Sequence, residues 1–311
     1  MSHRASEGFV TGHDGTRIAY RDHGGEGRPL VLLRGGGANL VSMDQWADRI
    51  GPNRRTVAID IRSCGQSGDP AHFRLTDAAI DIATVARSLD LGAVDVVGHS
   101  LGGFVAGFYG GDHPEARVVS IDGFGPGMIT IGSEVDRAEF RAFQTEMLGS
   151  FMAMTAPPEK GDRTWRDAQV DMISEIFPRI GYTAPNGRAM AERNFVALDD
   201  GTFRRHPSRQ LFTDAFADDG ELDVLRMYRT VRCPTLIIRC TRSGAPSALD
   251  RELDGLEAAN QLVQVLRLPL THLSPAWDDL ELVAAEIDRF FARKPPLPWA
   301  PAAPGPTSEP R

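Results

Sequence analysis

The stretch Val96-Val97-Gly98-His99-Ser100-Leu101-Gly102-Gly103 holds the residue types best suited to chemistry in this chain. It matches the pattern G-x-S-x-G, in which a serine becomes an exposed nucleophile when the motif forms a sharp turn between a strand and a helix. Such a turn strains the serine backbone, so the residues two places on either side must be small. Gly98 and Gly102 meet that need. The helix that follows aims its free N-terminal N–H groups at developing negative charge. The same spacing also occurs by chance in many Gly-rich turns, so its meaning depends on the flanking elements.

Those elements can be read on both sides. Val94 to Val97 is a short apolar run that suits a buried strand, and Leu101 to about Gly110 reads as a helix. Upstream, Phe9 to Thr11 and Thr16 to Asp22 flank His13-Asp14-Gly15, a hairpin signal. Leu30 to Leu33 runs into Gly35-Gly36-Gly37, and Thr56 to Ile59 ends at Asp60. A helix is expected from about Asp77, with Thr76 as its N-cap, Gly92 just past its end, and Ile82, Val85, Ala86 and Leu89 on one face. Val118 to Ile121, Thr235 to Arg239 and Val263 to Leu266 read as further strands. Ser247 to Ala258 reads as a helix, and so does a last segment carrying Leu280, Val283, Ala284 and Ile287. Short apolar strands alternating with helices predict an α/β fold with a mostly parallel sheet covered on both faces.

From about Gly127 to Leu222 strand-like runs vanish, and helix-forming stretches are broken at Ala156-Pro157-Pro158, Ala184-Pro185-Asn186-Gly187 and His206-Pro207. The expected organisation is a core formed by residues 1–126 and 223–293, a helical insertion over 127–222, and a proline-rich disordered tail over 294–311.

Composition narrows the function classes. With 311 residues, 41% hydrophobic and 24% charged, the chain reads as a soluble globular protein rather than a disordered, collagenous or membrane-spanning one. A net charge of −8 argues against a nucleic-acid partner. Cys64, Cys233 and Cys240 form no CxxC pair and suit unpaired thiols in a reducing compartment. The first residues contain no apolar signal region, so a cytoplasmic location, away from membranes, is expected.

Four landmarks in order make the sequence resemble the α/β-hydrolase superfamily, in its branch with a helical cap. They are Gly35-Gly36-Gly37 after a strand, Asp60-Ile61-Arg62-Ser63-Cys64-Gly65-Gln66-Ser67 after the next, the Ser100 turn, and Thr271-His272 near the end. The second resembles the family's D-x-R-G-x-G-x-S loop, with Ser63 where glycine is usual. The resemblance covers roughly residues 8–126 and 223–293, and it makes 127–222 the cap.

The resemblance implies site roles. His272, between the last strand and the last helix, becomes the base that activates Ser100. The N–H groups of Leu101 and Gly36 become the oxyanion hole. Arg34 stands where many relatives have His, and either makes a structural ion pair or meets an anionic group on the substrate. The commonest place for the acid follows Thr235 to Arg239, but Ser243 stands there. Asp250 comes soon after, where Ser247-x-x-Asp250 reads as a capping box. Other relatives carry the acid one strand after the nucleophile strand, which here ends Ser120-Ile121-Asp122-Gly123. Asp122 is assigned on that basis, with a purely structural carboxylate as the alternative.

The expected activity is a serine hydrolase that cleaves a carboxylic ester, lactone or thioester of a medium-to-large apolar small molecule through an acyl-enzyme on Ser100. Two alternatives stay open: non-hydrolytic chemistry on the same fold (C–C cleavage, acyl transfer, cyclisation or isomerisation) and a ligand-binding protein without catalysis. Ser100 argues against epoxide hydrolases and haloalkane dehalogenases, whose relatives use Asp there. No cofactor and no metal are expected, because there is no HExxH, no CxxC pair and no GxGxxG placed after a strand. Met128, Phe151, Met152, Met154, Trp165, Met172, Ile176 and Phe177 are the apolar residues expected to build the cap and part of its pocket.

Overall fold

The computed structural model describes residues 5–176, 187–217, 223–273, 275 and 278–294. Phe177, the break at 184–186 and the tail beyond Lys294 lie outside the described residues. The first half contains β1 (Ser6–Thr11), β2 (Arg17–Gly24), β3 (Leu30–Leu33), α1 (Asp44–Ile50), β4 (Thr56–Ile59), α2 (Leu75–Ser88), β5 (Asp95–His99), α3 (Leu101–Asp112) and β6 (Val118–Ile121). Then come α4 (Glu134–Met154), β7 (Lys160–Gly161), α5 (Arg163–Ile176), α6 (Gly187–Arg193), β8 (Phe195–Ala197), β9 (Phe203–Arg205), α7 (Arg209–Ala215) and α8 (Arg226–Arg229). The chain closes with β10 (Thr235–Cys240), α9 (Ala248–Ala259), β11 (Val263–Leu268) and α10 (Leu280–Phe291).

An eight-stranded sheet runs in the order β1-β2-β4-β3-β5-β6-β10-β11. The pairs β1–β2 and β2–β4 are antiparallel; the pairs from β4 to β11 are parallel. Alternation along the strands explains why both faces are covered. Val31, Leu33, Val57 and Ile59 point into one apolar cluster with residues of α2, α3, α8 and α9. Leu30, Leu32 and Ala58 point into the other, with residues of α1 and α10. This is the α/β-hydrolase fold.

Two expectations need correction here. The second helix starts at Leu75, with Arg74 as its N-cap and no side-chain cap; Thr76 lies inside it. Tertiary contacts set that start: Phe73 is buried, and its N–H donates to Asp214 Oδ2 at 2.7 Å. Strands also do not vanish between β6 and β10, because β7, β9 and β8 form a small antiparallel sheet in that order. These strands have two or three residues each, too short for a period-2 pattern to show.

The segment between β6 and β10 is tied to the loops after β3 and β4 by buried and part-buried polar contacts. Arg193 Nε lies 2.9 Å from Asp60 Oδ2, and Asp60 also accepts the N–H groups of Leu40 (2.7 Å) and Gln66 (2.9 Å). Asn39 Nδ2 donates to the Met190 carbonyl at 2.7 Å. His206 is buried, with Nδ1 3.0 Å from the Gly65 carbonyl and Nε2 3.2 Å from Asp69 Oδ2. Ser63 adopts φ 62°, the left-handed region that favours glycine.

Candidate active site

Ser100 sits between β5 and α3 with φ 54° and ψ −121°, a conformation held only where the surroundings over-determine it. Its N–H donates to the Ile121 carbonyl at 2.9 Å, which locks the turn to β6. The flanking glycines are steric requirements. A Cβ on Gly98 would lie 2.1 Å from the Gly102 carbonyl oxygen, and one on Gly102 would lie 2.7 Å from the Leu33 carbonyl oxygen.

The glycine loop after β3 lies against this turn. A Cβ on Gly35 would fall 2.7 Å from Ser100 Cβ; one on Gly36 would fall 2.8 Å from Phe212 Cε1 and 3.8 Å from Leu101 Cδ2. Leu101 is the first residue of α3, so its N–H has no acceptor within the helix. Arg34, at the head of the loop, is buried.

His272 and Asp122 meet here although 150 residues separate them: Nδ1 is 2.7 Å from Asp122 Oδ2. Asp122 follows β6, with φ 45°, and is buried. Its other oxygen, Oδ1, accepts the Cys240 N–H at 3.0 Å. The His272 carbonyl lies 2.7 Å from His99 Nε2, and the two imidazole centroids are 4.7 Å apart. A carbonyl can only accept, so His99 carries its proton on Nε2. Burial, aided by the Arg34 charge, holds the His99 imidazole well below its ordinary range, so it stays neutral. Burial also raises the Cys240 thiol, with the Asp122 charge adding to the effect.

The region after β10 departs from the sequence reading. Ser247 is helical and makes no side-chain cap, so there is no capping box. Asp250 Oδ1 instead lies 3.4 Å from both Arg239 Nε and Arg267 Nε. Arg239, fully buried on β10, donates from Nη1 to Ser243 Oγ at 2.7 Å and from Nη2 to the Ala245 carbonyl at 3.2 Å, and its Nη1 lies 3.6 Å from Asp122 Oδ1. The approach of Arg239 to Asp122 has no local sequence signal, because it depends on β10 lying beside β6.

Ser100, Asp122 and His272 share one cavity of about 210 Å³ with Ser243, Ala245 and residues of α3 and α4. Of the apolar residues named from sequence, Phe151 lines it. Met154 packs at Gly37, Trp165 meets Phe195 edge-on at 5.6 Å, and Met172 and Ile176 are exposed. Phe140, Phe143, Gln144 and Met147 also line the cavity and were missed. Their signal was present, because 140, 143, 144, 147 and 151 repeat at helical spacing. A larger cleft of about 610 Å³ meets this cavity at Gly125 but contains none of Ser100, Asp122 or His272. His13, Asp14 and Asp77 cluster elsewhere on the surface, where Arg62 Nη1 already lies 2.9 Å from Asp14 and 3.6 Å from Asp77.

The family model described as "Alpha/beta hydrolase family" matches residues 30–301. The chain belongs to that family. It is 33% identical over 238 residues to a non-heme chloroperoxidase from Kitasatospora aureofaciens, a match covering 74% of this chain and 79% of that one. It is 34% identical over 88 residues to a poly(3-hydroxyalkanoate) depolymerase from Ectopseudomonas oleovorans, covering 28% of this chain and 31% of that protein. The chain therefore spans about a third of the depolymerase's length. Among solved structures, E-2-(acetamidomethylene)succinate hydrolase superposes with a TM-score of 0.70 at 23% identity, covering 93% of this chain and all of that one. An enol-lactonase from Burkholderia xenovorans LB400 does so with a TM-score of 0.61 at 19% identity, covering 92% and 100%. At those identities the structural likeness speaks for the fold.

Proposed function

We propose that this protein is a serine hydrolase that cleaves a carboxylic ester, lactone or thioester of an apolar small molecule through an acyl-enzyme on Ser100. The observation that carries this reading is the 2.7 Å contact between His272 Nδ1 and the buried Asp122 carboxylate, in a cavity shared with Ser100. A neutral imidazole that donates from Nδ1 has its lone pair on Nε2, ready to accept the serine proton.

Ser100 Oγ then attacks the acyl carbon while His272 takes its proton. The oxyanion receives hydrogen bonds from the N–H groups of Leu101 and Gly36. The bond to the leaving group breaks, and His272 returns the proton to the departing alcohol or thiol. Water attacks the acyl-enzyme with His272 again as base; the acid leaves and Ser100 regains its proton. Residues 127–222 act as a cap that selects the substrate, an assignment supported by the α4 side chains in the cavity wall. The three buried free cysteines suit a cytoplasmic setting.

The likeness to a chloroperoxidase over three quarters of the chain favours one second reading, in which hydrogen peroxide takes the acyl group in place of water. Product analysis with and without peroxide separates the two. The main test is intact-mass spectrometry after exposure to a fluorophosphonate. A single adduct that disappears in Ser100→Ala and forms more slowly in His272→Ala is expected. Folded wild type showing neither an adduct nor ester turnover would overturn the assignment.

A further inference from the structure

We infer that the cavity beside Ser100 is built for one planar aromatic ring carrying a single hydrogen-bonding substituent, which makes the substrate class an ester of an aromatic carboxylic acid. The inference rests on the serine-hydrolase reading above and deepens it.

The wall comes largely from one helix. Phe140, Phe143, Gln144, Met147 and Phe151 fall at i, i+3, i+4, i+7 and i+11 along α4, one continuous stripe facing the cavity. Phe104 from α3, Phe124 after β6 and Ala245 after β10 add to the apolar lining. Phe104, Phe124, Phe140, Phe143 and Phe151 are five of the seven apolar side chains that line the cavity, with Met147 and Ala245, and none is Leu, Ile or Val. Phenyl faces and edges match another ring in offset or edge-on contact.

One of these rings is held by a neighbour. Phe151 is stacked on Phe212 with centroids 4.3 Å apart and planes 5° apart. Phe212 in turn lies against Gly36 of the glycine loop. A preset wall suits a rigid occupant better than a flexible alkyl chain, which loses rotamer freedom on entry.

Size points the same way. A dry apolar cavity of about 150 Å³ accepts benzene. The cavity here, at about 210 Å³, holds a ring with room for a small substituent. The group retained there is the acyl part, because it stays joined to Ser100 after the alcohol has left.

Gln144 supplies the polar contact. It is half-buried and interrupts an otherwise apolar stripe, and its side-chain amide makes no hydrogen bond to another described residue. An amide can both donate and accept, so it can meet a phenol hydroxyl, a carbonyl or an amine on the ring.

The test compares kcat/KM for the methyl esters of benzoate, 4-hydroxybenzoate, hexanoate and decanoate, each divided by that ester's own hydroxide rate constant. The aromatic esters are expected to exceed both aliphatic ones by about 10-fold or more. In Gln144→Leu the 4-hydroxybenzoate value is expected to fall by about 5- to 10-fold, as for loss of one hydrogen bond, while benzoate stays within about twofold. An aliphatic ester at the top of the series overturns the aromatic assignment, and equal losses on both aromatic esters overturn the role of Gln144. Fluorophosphonate labelling of the same preparation separates the two levels. Labelled protein with an aliphatic preference leaves the serine-hydrolase reading standing. Absence of labelling and turnover removes that reading itself. Calorimetry with Ser100→Ala then tests the pocket without catalysis: methyl 4-hydroxybenzoate binding more weakly than methyl hexanoate would overturn the inference there too.

Discussion

Asp122 uses its two carboxylate oxygens differently, one toward His272 and one toward the Cys240 N–H, with the Arg239 guanidinium 3.6 Å from the second. Under the proposed mechanism Asp122→Asn keeps the size of the group but can present an N–H where the imidazole needs an acceptor. Ester turnover is expected to fall by about 10³- to 10⁴-fold with little change in KM, measured by steady-state kinetics. His99 gives a second expectation. Its folded pKa lies well below the ordinary 6.5, so the unfolded chain binds the extra proton first as pH drops. The stability linked to His99 is complete above about pH 6.5 and declines below it, toward the lower folded pKa. Thermal melts between pH 7.5 and 5 should show a steeper decline for wild type than for His99→Gln; parallel curves would remove His99 as the titrating group. At this scale Asp122 was a candidate only through the resemblance, beside a purely structural reading, and it is the structure that sets it 2.7 Å from His272 Nδ1. Arg239 was not a candidate, because its partners lie on segments remote in sequence or beyond a turn whose path the sequence does not show.

Elements decide how those residues are presented. The turn at Ser100 exists because β5 feeds directly into α3 with no room for side chains at 98 or 102. Gly98→Ala should therefore destabilise the fold by roughly 3 kcal/mol or more, since the added Cβ meets backbone that cannot move aside. Soluble yield and denaturant midpoint report it, and a midpoint equal to wild type would show that the turn can relax. Periodicity read from sequence located the strands of the main sheet and the helices that cover it, because short, mostly apolar strands of four to six residues carry a clear signal. The same reasoning missed the small sheet of β7, β8 and β9. It also misplaced the start of α2, where burial of Phe73 and a long-range bond to Asp214 outweigh the capping preference of Thr76.

Across the whole molecule, the segment carrying α4 to α7 rests on the sheet through charges as well as apolar side chains. Arg193 pairs with the buried Asp60 carboxylate and so ties this segment to the loop after β4. Removing one partner leaves the other charge buried, so Arg193→Met is expected to cost about 3–5 kcal/mol of unfolding free energy, read from urea denaturation. A loss below about 1 kcal/mol would mean that water reaches Asp60 in the variant.

The sequence by itself determined the fold class, the sharp turn at Ser100 and the order of the landmarks along the chain. Each of these is local: an apolar period, a glycine spacing, a position at the end of a strand. The tertiary structure decided which acid faces His272, that Ser243 and Asp250 answer to Arg239 instead, and which face of α4 borders Ser100. These depend on strand order and on helices crossing over the sheet, and a side chain's partner across such a distance is set by the packing of the whole chain rather than by its neighbours in sequence.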